Sequence, residues 1–178
     1  QKDYAGVSAL TAWGKLVAVR GAELLYDGTV VGTVTEGPKQ FAMVNTKLVI
    51  WPDKVYLDMK TQTVKPLGAE LTGSKAVFTA NTMKVSGWDD LTEKFKAGDA
   101  VTLSGCTTKT DNNKDLVIKA VSKDTVTVTG NTFTACSEES AGLKLERKIP
   151  DLDFICESEN RLLGCSNADQ TIYSSSLG

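Results

Sequence analysis

The fold is decided by residues 47–58, which read Lys47-Leu48-Val49-Ile50-Trp51, then Pro52-Asp53-Lys54, then Val55-Tyr56-Leu57-Asp58. Two apolar runs rich in β-branched and aromatic residues flank a short polar segment that contains a proline. This order is typical of two antiparallel strands joined by a turn. The stretch therefore predicts a β-hairpin.

The same order of residues occurs twice more in the chain. Residues 15–27 and 161–173 also consist of a basic residue, an apolar run, a polar turn and a second run with a tyrosine. Lys15 and Lys47 are 32 positions apart, a period typical of propellers and repeat arrays. The alternative is that unrelated hairpins share so short a pattern by chance.

The pattern stops after the second copy and resumes only at the third. Between them, short apolar runs alternate with turn residues such as Gly98-Asp99 and Lys123-Asp124. The spacing suits a small closed β-barrel, inserted into another body. The candidate strands are 76–78, 83–85, 100–104, 116–121, 125–128 and 143–146.

The chain is thus predicted to be all-β, with antiparallel hairpins of an incomplete propeller-like or sandwich-like body around an inserted barrel. Residues 1–65 are predicted to begin the body, residues 66–148 to form the barrel, and residues 149–178 to be the returning hairpin that completes the body. The segment 88–95 is predicted as the one short helix, with Asp89 or Asp90 as its N-cap.

Composition excludes several classes of function. Of 178 residues, 41% are hydrophobic and 24% are charged, which is typical of a globular protein. The net charge of −2 provides no positive field for nucleic acid, and no apolar run is long enough for a membrane span. Because the chain has no histidine, Ser-His-Asp and Cys-His nucleophiles are excluded.

The remaining candidates for chemistry have structural interpretations. The oxygen-rich run 111–115 lacks the glycine and glutamate of a calcium loop and is interpreted as an exposed hairpin turn. Asp151 and Asp153 could form an acid/base or metal pair, but are interpreted as a loop that leads into a strand at 154–156. We therefore predict no catalytic residue, no cofactor and no metal site.

The cysteines form no CxxC pair, and they are interpreted as buried apolar thiols. Disulfides 106–136 or 156–165 are the alternative. The cysteines are Cys106, Cys136, Cys156 and Cys165.

Four aromatic residues are predicted as interface or core anchors, with no basis in the sequence for choosing between the two roles. They are Trp51, Trp88, Tyr56 and Tyr173.

A family resemblance rests on the third copy and its surroundings. Residues 159–166, Glu-Asn-Arg-Leu-Leu-Gly-Cys-Ser, and 169–178, Asp-Gln-Thr-Ile-Tyr-Ser-Ser-Ser-Leu-Gly, resemble a segment of bacteriophage and prophage tail proteins, in which a strand with a basic start leads into a TIYAS-LGDP strand and turn. Residues 41–47 and 51–58 resemble earlier hairpins of the same proteins. Two departures are Leu163, where the family often has an aromatic residue, and the end at Gly178, where the family pattern continues.

The resemblance covers about half of the chain and implies a virion component with a propeller-like body, a nozzle or hub element of the tail. We expect a non-enzymatic structural protein that assembles with other tail proteins in a homo-oligomeric ring. We also expect the chain to be a piece of a longer protein. The alternative is a module that binds carbohydrate or a host surface through the inserted barrel and exposed aromatics.

Overall fold

A computed structural model describes residues 7–140 and 142–175, and the structural statements below refer to these residues. They form nineteen β-strands and two single turns of 3-10 helix, and no α-helix occurs among them. All the strand pairs are antiparallel. The predicted all-β class and antiparallel pairing are confirmed.

The chain divides into two compact units. Unit 1 consists of Gln1–Leu67 and Ile149–Gly178, and unit 2 is Gly68–Lys148. Unit 2 interrupts unit 1 between Leu67 and Ile149, and both of these residues contact Lys54. The amide of Leu67 donates to the carbonyl oxygen of Lys54 at 2.9 Å, and Lys54 Nζ donates to the carbonyl oxygen of Ile149 at 2.9 Å. The chain therefore leaves and re-enters unit 1 beside one residue.

Unit 1 contains two four-stranded meanders, β1-β2-β3-β4 and β5-β6-β7-β8, and a three-stranded sheet, β17-β18-β19. The strands are β1 (Val7–Trp13), β2 (Lys15–Arg20), β3 (Glu23–Tyr26), β4 (Thr29–Thr33), β5 (Gln40–Val44), β6 (Lys47–Trp51), β7 (Val55–Asp58), β8 (Thr63–Pro66), β17 (Phe154–Ser158), β18 (Arg161–Ser166) and β19 (Thr171–Ser174).

The three predicted hairpins are confirmed as β2–β3, β6–β7 and β18–β19. The first two are the central pairs of the meanders, each flanked by a further strand on either side. The third hairpin is extended on one side by β17, which contains the strand predicted at 154–156.

The strand β6 has a continuous run of four buried residues because both faces of its sheet are covered. Leu48 and Ile50 share one apolar cluster with Val17, Val19 and Leu24 of the first meander. On the opposite face, a second cluster contains Val49 and includes Ile155 and Leu162 of the three-stranded sheet. The β5–β8 sheet is thus the middle layer of three.

The repeated basic residue and tyrosine contact each other in the first two copies. Lys15 Nζ lies 5.7 Å from the centroid of the Tyr26 ring, and Lys47 Nζ lies 5.7 Å from that of Tyr56. These are cross-strand cation–π contacts. The third copy differs, because the hydroxyl of Tyr173 donates to Asp169 in its own turn.

Unit 2 is an eight-stranded sheet with the order β15-β10-β11-β14-β13-β12-β16-β9. Its strands are β9 (Ala69–Gly73), β10 (Ala76–Phe78), β11 (Thr82–Val85), β12 (Ala100–Ser104), β13 (Lys114–Val121), β14 (Thr125–Val128), β15 (Cys136–Glu139) and β16 (Leu143–Arg147).

The long strand β13 joins two halves of this sheet around one apolar core. Its first residues pair with β12 and its last ones with β14, with a bulge between Ile118 and Ala120. The core includes Phe78, Met83, Leu103, Ile118 and Leu145. Among the described residues the outer strands β15 and β9 do not pair with each other, so the expected barrel closure is not found. The side chain of Trp88 packs against Gly73 on the outer strand β9. It thereby covers part of the sheet edge that would be paired in a closed barrel.

Two local predictions in unit 2 need correction. The predicted helix at 88–95 is reduced to the single 3-10 turn Leu91–Glu93, although Asp90 caps it as predicted by accepting the amide of Thr92 at 2.9 Å. The run 111–115 is not a purely exposed turn, because Asn112 is fully buried and lies in the 3-10 turn Thr110–Asn112. Its amide group donates to the carbonyl oxygen of Thr134 and accepts from the amide of the same residue, which a solvated turn does not require.

Candidate assembly surface

The three-stranded sheet of unit 1 has one covered and one open face. Ile155 and Leu162 point toward the middle layer, where they pack in its second cluster. Because side chains alternate along a strand, their neighbours point to the opposite face.

The open face carries a row of apolar side chains. Phe154 pairs with Cys165, and Cys165 pairs with Ile172, so these three residues lie side by side across the sheet. Cys156 and Leu163 are paired in the next row. Phe154 is 61% exposed and Ile172 is 79% exposed. An uninterrupted apolar row on an open sheet face is typical of an interaction surface.

This sheet is held against the middle layer by polar contacts as well as by packing. The amide group of Gln40 on β5 donates to the carbonyl oxygen of Asp153 at 2.7 Å and accepts from the amide of Ile155 at 2.9 Å. Trp51 Nε1 donates to the carbonyl oxygen of Leu152 at 2.6 Å. The open face is therefore presented by a sheet whose position is fixed within unit 1.

The structure assigns different environments to the four aromatics predicted as anchors. Trp51 is 2% exposed, so it is a core residue of unit 1. Tyr56 is half-buried and packs against the second cluster below the three-stranded sheet. Trp88 is half-buried at the core of unit 2, and Tyr173 is half-buried on β19. They do not all belong to one surface.

Tyr173 acts on its own turn. Its hydroxyl donates to Asp169 Oδ2 at 2.5 Å, which raises the pKa of Tyr173 and lowers the pKa of Asp169. The Asp169 carboxylate also accepts the amide of Thr171 at 3.0 Å. This pair stabilises the turn that connects β18 to β19.

The two aspartates considered as a reactive pair are engaged in structural contacts. Asp153 Oδ2 accepts the amide of Asn167 at 2.7 Å, and Asp151 Oδ1 accepts from Lys54 Nζ at 2.5 Å. They lie in the segment that leads from the interruption into β17, in agreement with the loop interpretation. Among the described residues, no group of three or more cysteine, aspartate or glutamate side chains is placed to hold a metal ion.

All four cysteines are free thiols. Cys106 and Cys136 are buried in the core of unit 2, as predicted. Burial, with the charges of Glu139 and Cys136, raises the pKa of Cys106 to about 11. The prediction of burial is wrong for Cys156, which is exposed, and Cys165 is only half-buried, because both lie on the open face of the three-stranded sheet.

Phe154 and Ile172 are surface residues that the sequence did not single out. The signal was present in the neighbouring strand: Leu162 and Leu163 are consecutive apolar residues, which indicates that both faces of β18 are apolar. The last residues of the phage-like segment, 176–178, lie outside the described residues.

A comparison of the chain with protein-family models, with curated proteins and with solved structures finds no match. Within the described residues, no helix has the length and apolar character needed to cross a bilayer.

Proposed function

We propose that this chain is a non-enzymatic structural component of a bacteriophage or prophage tail. In this proposal the three layers of unit 1 are consecutive blades of a propeller-like body. The body assembles with other tail proteins, or with further copies in a ring, and it resides in the virion. The observation that carries the proposal is the open apolar face of β17–β19.

The construction of unit 1 supports a propeller-like body. Blades of propellers are four-stranded antiparallel meanders that follow each other in the chain. The sheets β1–β4 and β5–β8 have this topology, and they share the cluster that contains Val19 and Ile50. Gly32 allows close packing here, because a Cβ at this position would overlap the side chain of Val64 on β8.

The open face supports assembly with a further sheet. Burial of apolar surface contributes about 25 cal/mol per Å², so a partner that covers the exposed row of Phe154, Cys165 and Ile172 gains free energy. In unit 1 each neighbouring pair of layers is packed face to face through apolar residues. We therefore propose that another antiparallel sheet covers this face in the assembled tail.

The carboxylates support a structural role. Glu139 is fully buried and accepts backbone amides, Asp153 accepts the amide of Asn167, and Asp53 accepts the amide of Thr35. In each case the acid organises a loop of its own unit.

The experiment that tests this proposal removes the apolar row from the open face. The variant Phe154→Thr/Ile172→Thr keeps β-forming side chains. The free energy of unfolding of the isolated protein in urea should therefore be unchanged or slightly higher. The yield of complete tails should fall, because interface anchors each contribute about 2 kcal/mol or more, which is roughly 30-fold in affinity. Electron microscopy and infectious titre measure the yield.

Val117→Thr is the matched control, because Val117 is 59% exposed on β13 of unit 2. This variant should assemble as the wild type does. Complete tails formed at the normal yield by the Phe154→Thr/Ile172→Thr protein would contradict the proposal.

A further inference from the structure

Unit 2 contains a groove of about 660 Å³ that lies between two backbone segments. One wall is the end of β11 and the residues after it, including Lys84, Ser86 and Trp88. The other is the turn between β13 and β14, with Ser122, Lys123 and Asp124. Its volume falls within the range of about 300–1,000 Å³ that small-molecule sites occupy.

The walls of the groove are held together by backbone hydrogen bonds. The amide of Val85 donates to the carbonyl oxygen of Asp124 at 2.8 Å, and the amide of Leu91 donates to that of Lys123 at 3.0 Å. The turn is closed by the amide of Ser122, which donates to the carbonyl oxygen of Thr125 at 2.9 Å. The groove is therefore formed before any ligand arrives, which reduces the entropic cost of binding.

Trp88 is the aromatic residue that lines this groove. Its indole packs against the core of unit 2 while the residue remains half-exposed. Its Nε1 is buried against Gly73, where an added Cβ would overlap the ring, and it has no hydrogen-bond partner among the described residues. Packing thus fixes the indole in one orientation.

The polar groups of the groove provide donors and acceptors together. Lys84 Nζ lies 3.5 Å from Asp124 Oδ2, so an ammonium donor and a carboxylate acceptor stand side by side. Ser86 and Ser122 are exposed and their hydroxyls can both donate and accept. Neighbouring sugar hydroxyls need this mixture, because each is both a donor and an acceptor.

We propose that this groove binds a neutral saccharide, with one sugar ring on the indole of Trp88 and its hydroxyls on Lys84, Asp124 and the two serines. The positive charge of Lys84 is compensated by Asp124. Lys123, the second cation of the groove, interacts with the carboxylate of Asp90 and lowers its pKa, so neither lysine is left without an opposite charge, which favours hydroxyls over an anionic group. The proposal does not depend on the tail function, because the groove belongs to unit 2 and the proposed assembly face to unit 1.

The test uses the full chain on an array of neutral oligosaccharides of hexoses and N-acetylhexosamines, with uronic acids on the same array. The strongest neutral binder is then titrated by isothermal titration calorimetry, which reports affinity independently of the tryptophans that the variants remove or add. We expect saturable binding to a neutral member, at least 10-fold weaker in Trp88→Ala. Since Trp88 also packs on the core, two further variants at exposed positions, Lys84→Ala and Ser122→Trp, remove a donor or fill the groove without disturbing that packing.

Both of these variants should weaken binding at least 5-fold while urea unfolding stays as in the wild type. Lys119→Ala, on the exposed side of β13 and outside the groove, should bind normally. The proposal is overturned if no neutral saccharide binds, if Lys84→Ala and Ser122→Trp bind as the wild type does, or if only uronic acids bind.

Discussion

Glu139 combines complete burial with a negative charge, and backbone geometry explains how the two coexist. Its Oε2 accepts the amides of Thr108 at 2.9 Å and Lys109 at 3.2 Å, and its Oε1 accepts the hydroxyl of Thr107 at 3.1 Å. Burial alone would raise the pKa of this carboxyl, but these hydrogen bonds outweigh it and lower the pKa from 4.5 to about 2. The sequence alone does not distinguish Glu139 from the adjacent Glu138, because the groups that donate to Glu139 lie about thirty positions earlier in the chain.

Replacing Glu139 by glutamine should destabilise unit 2. The new amide group directs its own donors at the backbone amides of residues 108 and 109, so we expect a loss of about 1.5–3 kcal/mol at neutral pH. Urea unfolding measures this loss. Glu138→Gln, at the exposed neighbouring position, should change the free energy of unfolding by less than about 0.5 kcal/mol.

The same variant should alter the dependence of stability on pH. Because the pKa of Glu139 is lower in the folded protein, its contribution is present above pH 4.5 and is lost as the pH falls toward about 2. Glu139→Gln should therefore lose less stability over this interval than the wild type. An unchanged pH profile would show that the carboxylate does not make these contacts.

Strands differ in how many of their faces are buried, and this determines what could be predicted from sequence. In β13, buried Leu116 and Ile118 alternate with exposed Val117, and such alternation predicts a half-buried strand. In β6 the continuous apolar run reflects two covered faces. The central hairpins were predictable because they are the most apolar segments of their sheets.

Other strands could not be predicted by the same means. The strand β8 (Thr63–Pro66) has three exposed residues in four, and β15 (Cys136–Glu139) alternates in no regular way. β8 is a strand because it pairs with β7 directly before it, and β15 is a strand because it pairs with β10, about sixty positions earlier in the chain. In both cases the cause is pairing with another strand and not a pattern within the segment. The single turn at Leu91–Glu93 shows the converse, because a plausible helical signal over 88–95 gives only one turn. The amides of Lys94 and Phe95 still donate to Leu91, but the amide of Lys96 donates to the carboxylate of Asp99 at 3.0 Å, so the helical hydrogen bonds end there.

The substitution of valine by threonine should distinguish the two kinds of strand. Val49→Thr places a hydroxyl in the buried layer between β5–β8 and β17–β19, and we expect a loss of about 1–3 kcal/mol. Val117→Thr makes the same change on an exposed side chain and should be close to neutral. Equal effects of the two substitutions on urea unfolding would contradict the assignment of β6 to a middle layer.

The whole chain is an interrupted unit 1 with unit 2 between its two segments. Leu67 and Ile149 both bond to Lys54, so the two ends of the interruption lie close enough for a short connection. The change of sequence pattern near Pro66 indicated an insertion, but the closeness of its ends depends on contacts of Lys54 that no local pattern contains.

Replacing residues 68–148 by a short Gly/Ser linker should leave a folded unit 1. Its apolar clusters contain no residue of the removed segment, so we expect cooperative unfolding and a β-type circular dichroism spectrum. A chain without cooperative unfolding would show that unit 1 depends on the inserted unit.

The proposed tail function was suggested by sequence resemblance, and the structure adds the open face on which assembly would depend. That face combines β17, β18 and β19, whose apolar residues are spread over 154–172, so it becomes visible only when the register is known. The Trp88 groove likewise joins two segments that are more than thirty positions apart.

Mass spectrometry of purified phage or induced prophage particles, from a host that expresses this chain, tests the tail proposal most directly. We predict that its peptides are found in the particles and follow the tail fraction after heads and tails are separated. Peptides present in the host lysate but absent from purified particles would contradict the proposed function.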